Sequence, residues 1–245
     1  MNKYSIRSLL LLLIFIPGIT IIQAQDGSDL LEKMDQVIFA PKDKQAQVKI
    51  NVSSGKKDDK IREAILMQKG ADKKIYRYTI PESQAGVATL SLPGDIMWLY
   101  MPAFEKPKKI SLLAKSQAFT GTDFAYEDIP VQPYSDRYTP EFLKVEGNTY
   151  LLKLVPLDNK SNYSRLIVAI DQQNHYPVRI EYFDKKGGKH KEATYKYVKT
   201  GNYWNPEEVT MTDLKKNSQT SIIMTDVKFD QGLPDDLFTV ENFMR

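Results

Sequence analysis

The sequence contains no cysteine. That excludes disulfides, a thiolate nucleophile, a zinc ribbon and a lipid-modified N-terminal cysteine. Histidine is almost as scarce, with only His175 and His190. His175 precedes Tyr176-Pro177 and His190 follows Gly187-Gly188-Lys189, so both read as exposed hairpin residues without a catalytic role. There is no Gly-x-Ser-x-Gly elbow to frame a serine nucleophile. A His-Glu-x-x-His helix and a Walker loop are also missing. The chain lacks a dominant charge sign as well. Its net charge is +3, and Lys3 and Arg7 supply two of those charges within a first stretch of 24 residues that holds no acid. A nucleic-acid protein should stand much further from balance, so nucleic acid is not expected as a partner. Beyond the N-terminal region no apolar run approaches the ~20 residues of a membrane span.

What is present begins with a leader. Lys3 and Arg7 precede an apolar run from Leu9 to Ile16, Pro17-Gly18 breaks it, and Ala24 offers a cleavage residue before Gln25. That is the pattern of a secretory signal peptide, and the run is too short for an uncleaved anchor. Residues 1–24 are therefore read as a cleaved leader and 25–245 as one domain, a length that single all-β domains reach.

One helix is expected over 29–39. Apolar residues at 30, 31, 34, 37 and 38 share a face. Ser28 or Asp29 would cap it and Pro41 would stop it. From Gln45 the apolar period becomes two, with Ala46, Val48, Ile50 and Val52 on one side. Further strand candidates follow, the first at Arg62–Gln68 and the last at Gln219–Phe229, most of them separated by short turns. Such spacing predicts hairpins in one large antiparallel meander, and a sheet of that size must curl or close. The longest stretch without a strand runs from Lys115 to Lys144. Its Phe119, Phe124, Tyr126, Tyr134, Tyr138 and Phe142 argue for a packed flap rather than disorder.

The segment from Asp95 to Asp128 holds the candidate site. Ile96 to Met101 is apolar on both faces, and Pro102 closes it. Trp98 and Tyr100 are two apart and share one face, leaving Leu99 and Met101 on the other. Each of the two aromatics has an apolar body and a polar tip, which suits the mouth of a cavity. They are expected to face the ligand, with Phe119, Phe124 and Tyr126 closing from the flap. The plainer alternative makes Trp98 a core residue. Gly121 sits where a tight bend is needed. Asp123 and Asp128 are read as fixing the flap by capping turns or accepting backbone N–H groups. Asp123, Glu127 and Asp128 could instead hold a hard cation or form a carboxylate pair. They lack the glycine-punctuated alternation of a calcium loop, so neither a metal nor a cofactor is expected. The basic turn Glu105-Lys106-Pro107-Lys108-Lys109 reads as a solvated hairpin end, or as a patch that steers toward anionic headgroups.

The same segment carries a resemblance. WLYMPAFEKPKKI, from Trp98 to Ile110, followed by GTDFAYEDI, from Gly121 to Ile129, resembles the signature of the outer-membrane lipoprotein-sorting protein family, the LolA-like group. Pro81 with Gly86-Val87-Ala88-Thr89-Leu90 upstream is similar to that family as well. So are Tyr176 to Tyr182 and Gly232 to Phe238 downstream. The resemblance implies a mainly β fold: a curved, incompletely closed antiparallel β-barrel with a few helices forming a lid over a hydrophobic cavity. It also implies a periplasmic, monomeric carrier of lipoprotein acyl chains or lipid, loaded from an inner-membrane transporter and doing no chemistry. An acyl ligand fits a strand-rich apolar sequence, because each buried CH₂ contributes ~0.8 kcal/mol without specific polar contacts. The runner-up is a lipid-sensing regulator resembling RseB, which would bind a membrane partner. A hydrolase is a third class, disfavoured by the missing catalytic frames.

Overall fold

The computed structural model describes residues 26–54, 59–94, 96–110, 118–129, 131–159 and 161–245. The signal-peptide reading lies outside the described residues.

Helix α1 spans Gly27–Ile38. Its cap is Asp26, whose Oδ1 accepts from the Ser28 N–H at 2.8 Å, so the cap lies ahead of the expected Ser28 or Asp29. Leu30, Leu31 and Met34 are buried on one face, as the spacing required.

The strands among the described residues form one thirteen-stranded antiparallel sheet that does not close into a barrel. One meander contains β1 (Asp43–Ser53), β2 (Lys60–Lys69), β3 (Lys73–Ile80), β4 (Ala88–Leu92), β5 (Ile96–Tyr100) and β6 (Lys108–Ile110). The second contains β7 (Tyr138–Glu146), β8 (Thr149–Pro156), β9 (Tyr163–Asp171), β10 (Pro177–Asp184), β11 (Lys189–Thr200), β12 (Tyr203–Asp213) and β13 (Ser218–Phe229). The two join where β1 pairs with β13, which leaves β6 and β7 as edges.

Two expectations change here. The lid contains one α-helix among the described residues, not several. The rest of it is irregular chain with short 3₁₀ turns at Phe119–Gly121 and Tyr126–Asp128. The backbone explains this, since Thr120 and Gly121 both have positive φ and no helix can run through them. The long strandless stretch is also shorter than expected, because Tyr138–Glu146 is strand β7. Pro140 hides it in the sequence, yet proline is tolerated on an edge strand.

The sheet has two covered faces. The inner one gathers Val48 and Ile50 of β1, Leu66 of β2, and Tyr76 and Tyr78 of β3. These pack with Leu30, Leu31 and Met34 of α1 and with Phe119, Phe124 and Tyr126. The opposite face gathers Ile75, Ala88 and Leu90 under Phe238 and Phe243 of the C-terminal segment. Side chains of this size contribute ~1.5–3 kcal/mol each when fully buried, so both covers help hold the sheet.

Candidate ligand site

Between edges β6 and β7 in the chain, residues 118–129 lie on the inner face and form the flap. Thr120 has φ 47 and Gly121 φ 75, the tight bend for which glycine is suited. Arg62 of β2 fixes that bend by donating from Nη1 to the Thr120 carbonyl at 2.6 Å, and the Tyr78 hydroxyl bonds to Thr120 Oγ1. Asp123 is buried over β13. Its carboxylate accepts from the Ser218 hydroxyl and, at 2.7 Å, from the Thr220 hydroxyl. The Asp123 N–H in turn donates to Thr220 Oγ1 at 3.0 Å. Asp128 accepts from the Ala125 N–H at 2.7 Å, from the Tyr163 hydroxyl of β9 at 2.7 Å and from Lys191 Nζ of β11 at 3.3 Å. The flap is thus tied to both meanders by side chains.

The next segment is tied to α1. Asp35 of the helix is buried and accepts from the N–H groups of Tyr134 and Ser135, both at 2.8 Å. Burial pushes its carboxyl up, against the downward pull of those two donors. Sequence spacing placed position 35 on no functional list, because an acid beside an apolar helical face reads as solvated.

Between the end of α1, the flap and the sheet lies a cavity of about 100 Å³. Leu66, Phe124, Ile129, Ile222 and Met224 give it an apolar wall, and Tyr134, Tyr195, Tyr197 and Trp204 an aromatic one. It is small beside the ~300–1,000 Å³ of ordinary ligand pockets. A long acyl chain exceeds that volume, so holding one requires the flap to shift. Two lysines reach this space. Lys44 of β1 is in register with Gln68 of β2, and Gln68 with Lys74 of β3, so the three form one cross-strand row on the inner face. Burial pulls Lys44 down to about 8. Burial and the Lys44 charge pull Lys74 down to about 7.

The comparisons with known proteins fit this geometry. No curated protein matches the sequence. A family model described as that of an uncharacterized protein matches residues 70–245. An outer membrane lipoprotein-sorting protein domain from Vibrio parahaemolyticus superposes with a TM-score of 0.82 at 26% identity, covering 90% of this chain and 100% of that one. A LolA superfamily protein from Nitrosomonas europaea superposes with a TM-score of 0.74 at 27% identity, covering 87% and 97%. The chain belongs to the LolA-like family. A DUF1329 family protein from Desulfovibrio piger has the same fold, with a TM-score of 0.81 at 25% identity over 87% of this chain and 95% of that one.

In this LolA-like frame the expected site residues separate. Phe124 lines the cavity. Phe119 and Tyr126 lie beside it in the same core, their rings edge-on at 5.3 Å. Tyr126 also lines a second, more polar pocket of about 220 Å³ with Met97 and Arg137. Trp98 and Tyr100 are not brought to that side. They share one face, as their spacing required, but it is the opposite one: Leu90 pairs with Trp98 and Ala88 with Tyr100, under the C-terminal segment. Tyr100 meets Phe243 edge-on at 6.4 Å. Trp98 and Tyr100 therefore do not line this cavity as expected, and Met97 takes the inward position. Alternation fixes which residues go together, not which face the flap covers. Both histidines are half-buried rather than exposed. His190 lies 3.7 Å from Asp213, and burial lowers its pKa. Among the described residues no three His, Asp or Glu side chains gather as a metal site.

Sequence reasoning missed Lys44 and Lys74. The signal was present: Lys44-x-Ala46-x-Val48 and Lys74-x-Tyr76-x-Tyr78 put a lysine in the inward register of each strand.

Proposed function

We propose that this LolA-like chain is a periplasmic carrier that binds acyl chains of lipoproteins or lipids between its sheet and its flap, and passes them toward the outer membrane without chemistry. The observation that carries this reading is the apolar cavity enclosed by α1, the flap and the inner face. The flap's attachments suit a door. Arg62, Tyr78, Ser218 and Thr220 hold its first half by side-chain hydrogen bonds. Individual bonds of this kind contribute ~0.5–1.5 kcal/mol net, so a few can be exchanged for the burial of an acyl chain. An inner-membrane transport complex is the donor this role requires.

Native mass spectrometry of protein purified from its own periplasm tests the proposal. A co-purified species with the mass of a lipid or acylated protein is expected. Lipid-free protein that also fails to bind a fluorescent fatty-acyl probe overturns it. A screen for turnover of acyl esters separates a hydrolase from a carrier.

A further inference from the structure

Alternate turns of an antiparallel meander fall on the same rim of the sheet. One rim therefore carries the start of β2 and the turns β3–β4, β5–β6, β8–β9, β10–β11 and β12–β13. Nine large apolar side chains are exposed among the described residues, and five of them stand at this rim. Phe104 leads at 67%, followed by Leu157, Ile61, Leu214 and Ile80. The other four, Leu143, Val145, Val155 and Val198, lie along β7, β8 and β11. Cations accompany the rim group. Lys60 precedes Ile61, Lys106 and Lys108 follow Phe104, and Lys215 and Lys216 follow Leu214, all five lysines being exposed. Lys215 is paired with Asp184 and Lys216 with Asp213, and Asp59, Glu82, Glu105 and Asp158 stand on the same rim. Lys106 and Lys108 have no ion pair among the described residues. The flap is fastened beside this rim. Arg62, next to Ile61, holds the Thr120 carbonyl at 2.6 Å, and Ser218, the first residue of β13, bonds to Asp123.

We propose that this rim docks on an anionic bilayer, with Phe104 entering the headgroup layer and Lys106 and Lys108 meeting lipid phosphates. A protein partner needs one contiguous patch, whereas these apolar tips belong to separate strand ends. A bilayer is a soft plane that meets separate tips together, and apolar tips among lysines are the composition of an interfacial anchor. One exposed Phe buries too little to hold the chain on a membrane, and exposed lysines are screened by salt. Docking is therefore reversible and salt-sensitive, and it brings the flap's attachments up to the lipid. It does not depend on what the cavity holds.

Flotation of the periplasmic protein tests this with two vesicle compositions, pure phosphatidylcholine and an equimolar mixture with phosphatidylglycerol. Binding to the anionic vesicles should be at least about tenfold tighter and should weaken as salt is added. Lys106→Gln with Lys108→Gln should reduce that binding at least about tenfold, and Phe104→Ser should reduce it about tenfold. Circular dichroism of both variants should match the parent, because the three side chains are exposed. The chain has no cysteine, so Phe104→Cys takes an environment-sensitive dye at one place. Its emission should shift to the blue on anionic vesicles, while a dye on Val198→Cys, near the other rim, should not respond. No binding, equal binding to the two compositions, unchanged binding in either folded variant, or an equal response of the two dyes overturns the proposal. A chain that ignores vesicles and dimerises through Phe104 assigns the rim to a second copy instead. None of these outcomes bears on acyl binding, which the fluorescent fatty-acyl probe reads separately.

Discussion

The two covered faces of the sheet make an instructive pair. On the outer face, Ile75, Ala88, Leu90, Trp98 and Tyr100 meet Phe238 and Phe243 in an apolar cluster. On the inner face the apolar core is just as continuous, but Arg62, Lys74, Asp123, Asp128 and Lys191 are buried within or beside it. Both covers are short irregular segments crossing strands. The outer cover is packed chiefly by apolar side chains, with Arg77 donating to the Phe243 carbonyl at 2.9 Å and Asp235 paired with Lys69 and Lys73 at its exposed end. The inner cover is held by directional bonds to named partners, which can be broken and remade. Charged groups out of water contribute little to stability for their cost. More of them lie on the inner face than on the outer one, where Arg77 binds the Phe243 carbonyl, and that excess is the reason to look for the working face there.

The largest expected effect breaks the inner network. Asp128→Asn keeps the side chain's shape but withdraws the charge facing Lys191, both groups being almost wholly buried. A buried charge left without its partner costs about 3–5 kcal/mol. Urea unfolding should show that loss, together with loss of acyl-probe binding. A variant of normal stability would mean that Lys191 is not held by Asp128.

The outer face supplies the contrasting case. Phe243 is fully buried, and Phe243→Ala should cost about 3 kcal/mol through lost contact and a cavity. Affinity of the folded fraction for the acyl probe should stay within about twofold, since the inner face does not depend on this ring for its contacts. If binding falls as steeply as in Asp128→Asn, the two faces are coupled and the division of labour fails.

That division was only half legible in the sequence. Alternation located Ala46 to Val52, the pairing of Trp98 with Tyr100, and nearly every strand. It was silent on the covers, because the face a strand presents to the flap depends on where segments far along the chain return. The segment from Gly232 to Phe238 was recognisable by resemblance, yet nothing local shows that Phe238 and Phe243 lie on Leu90 and near Trp98. Strand β7 escaped for the opposite reason: its own Pro140 reads as a breaker, and only its edge position permits it. The flap's acids were legible as structural residues. Their partners Ser218, Thr220, Tyr163 and Lys191, from 35 to 97 positions away, were not.

A smaller effect of opposite sign is expected at Lys74. Its pKa is about 7 in the folded chain against 10.5 in a free side chain. Between those values the unfolded state binds more protons, so stability rises with pH from about 7 toward about 10. Below pH 7 the lysine is charged in both states and its full cost is present. Lys74→Met should therefore stabilise the protein at neutral pH, by about 1–2 kcal/mol, and flatten the rise above it. Thermal melts across pH decide this, and a variant less stable at pH 7 would show that the Lys74 ammonium is well compensated where it lies.

The smallest effect lies in the flap's bend, and it separates conformation from packing. Gly121 has φ +75, and a Cβ there would stand 3.5 Å from Arg62 Nη2, an ordinary contact. Gly121→Ala therefore meets no steric barrier, and its cost is that of holding an L-residue in the left-handed region, about 1 kcal/mol. The preceding Thr120 already carries the same strain at φ 47, held by Arg62 and Tyr78. Two strained residues in succession should loosen the flap before they loosen the sheet. Hydrogen exchange is expected to quicken at the flap amides, Thr122 and Asp123 among them, while amides of β1 and β13 keep their protection. Acyl-probe binding should speed up in both directions with little change in affinity. If exchange quickens equally across the sheet, the flap is not a separate opening unit but part of the core, and the contrast between a sealed face and an opening one does not hold.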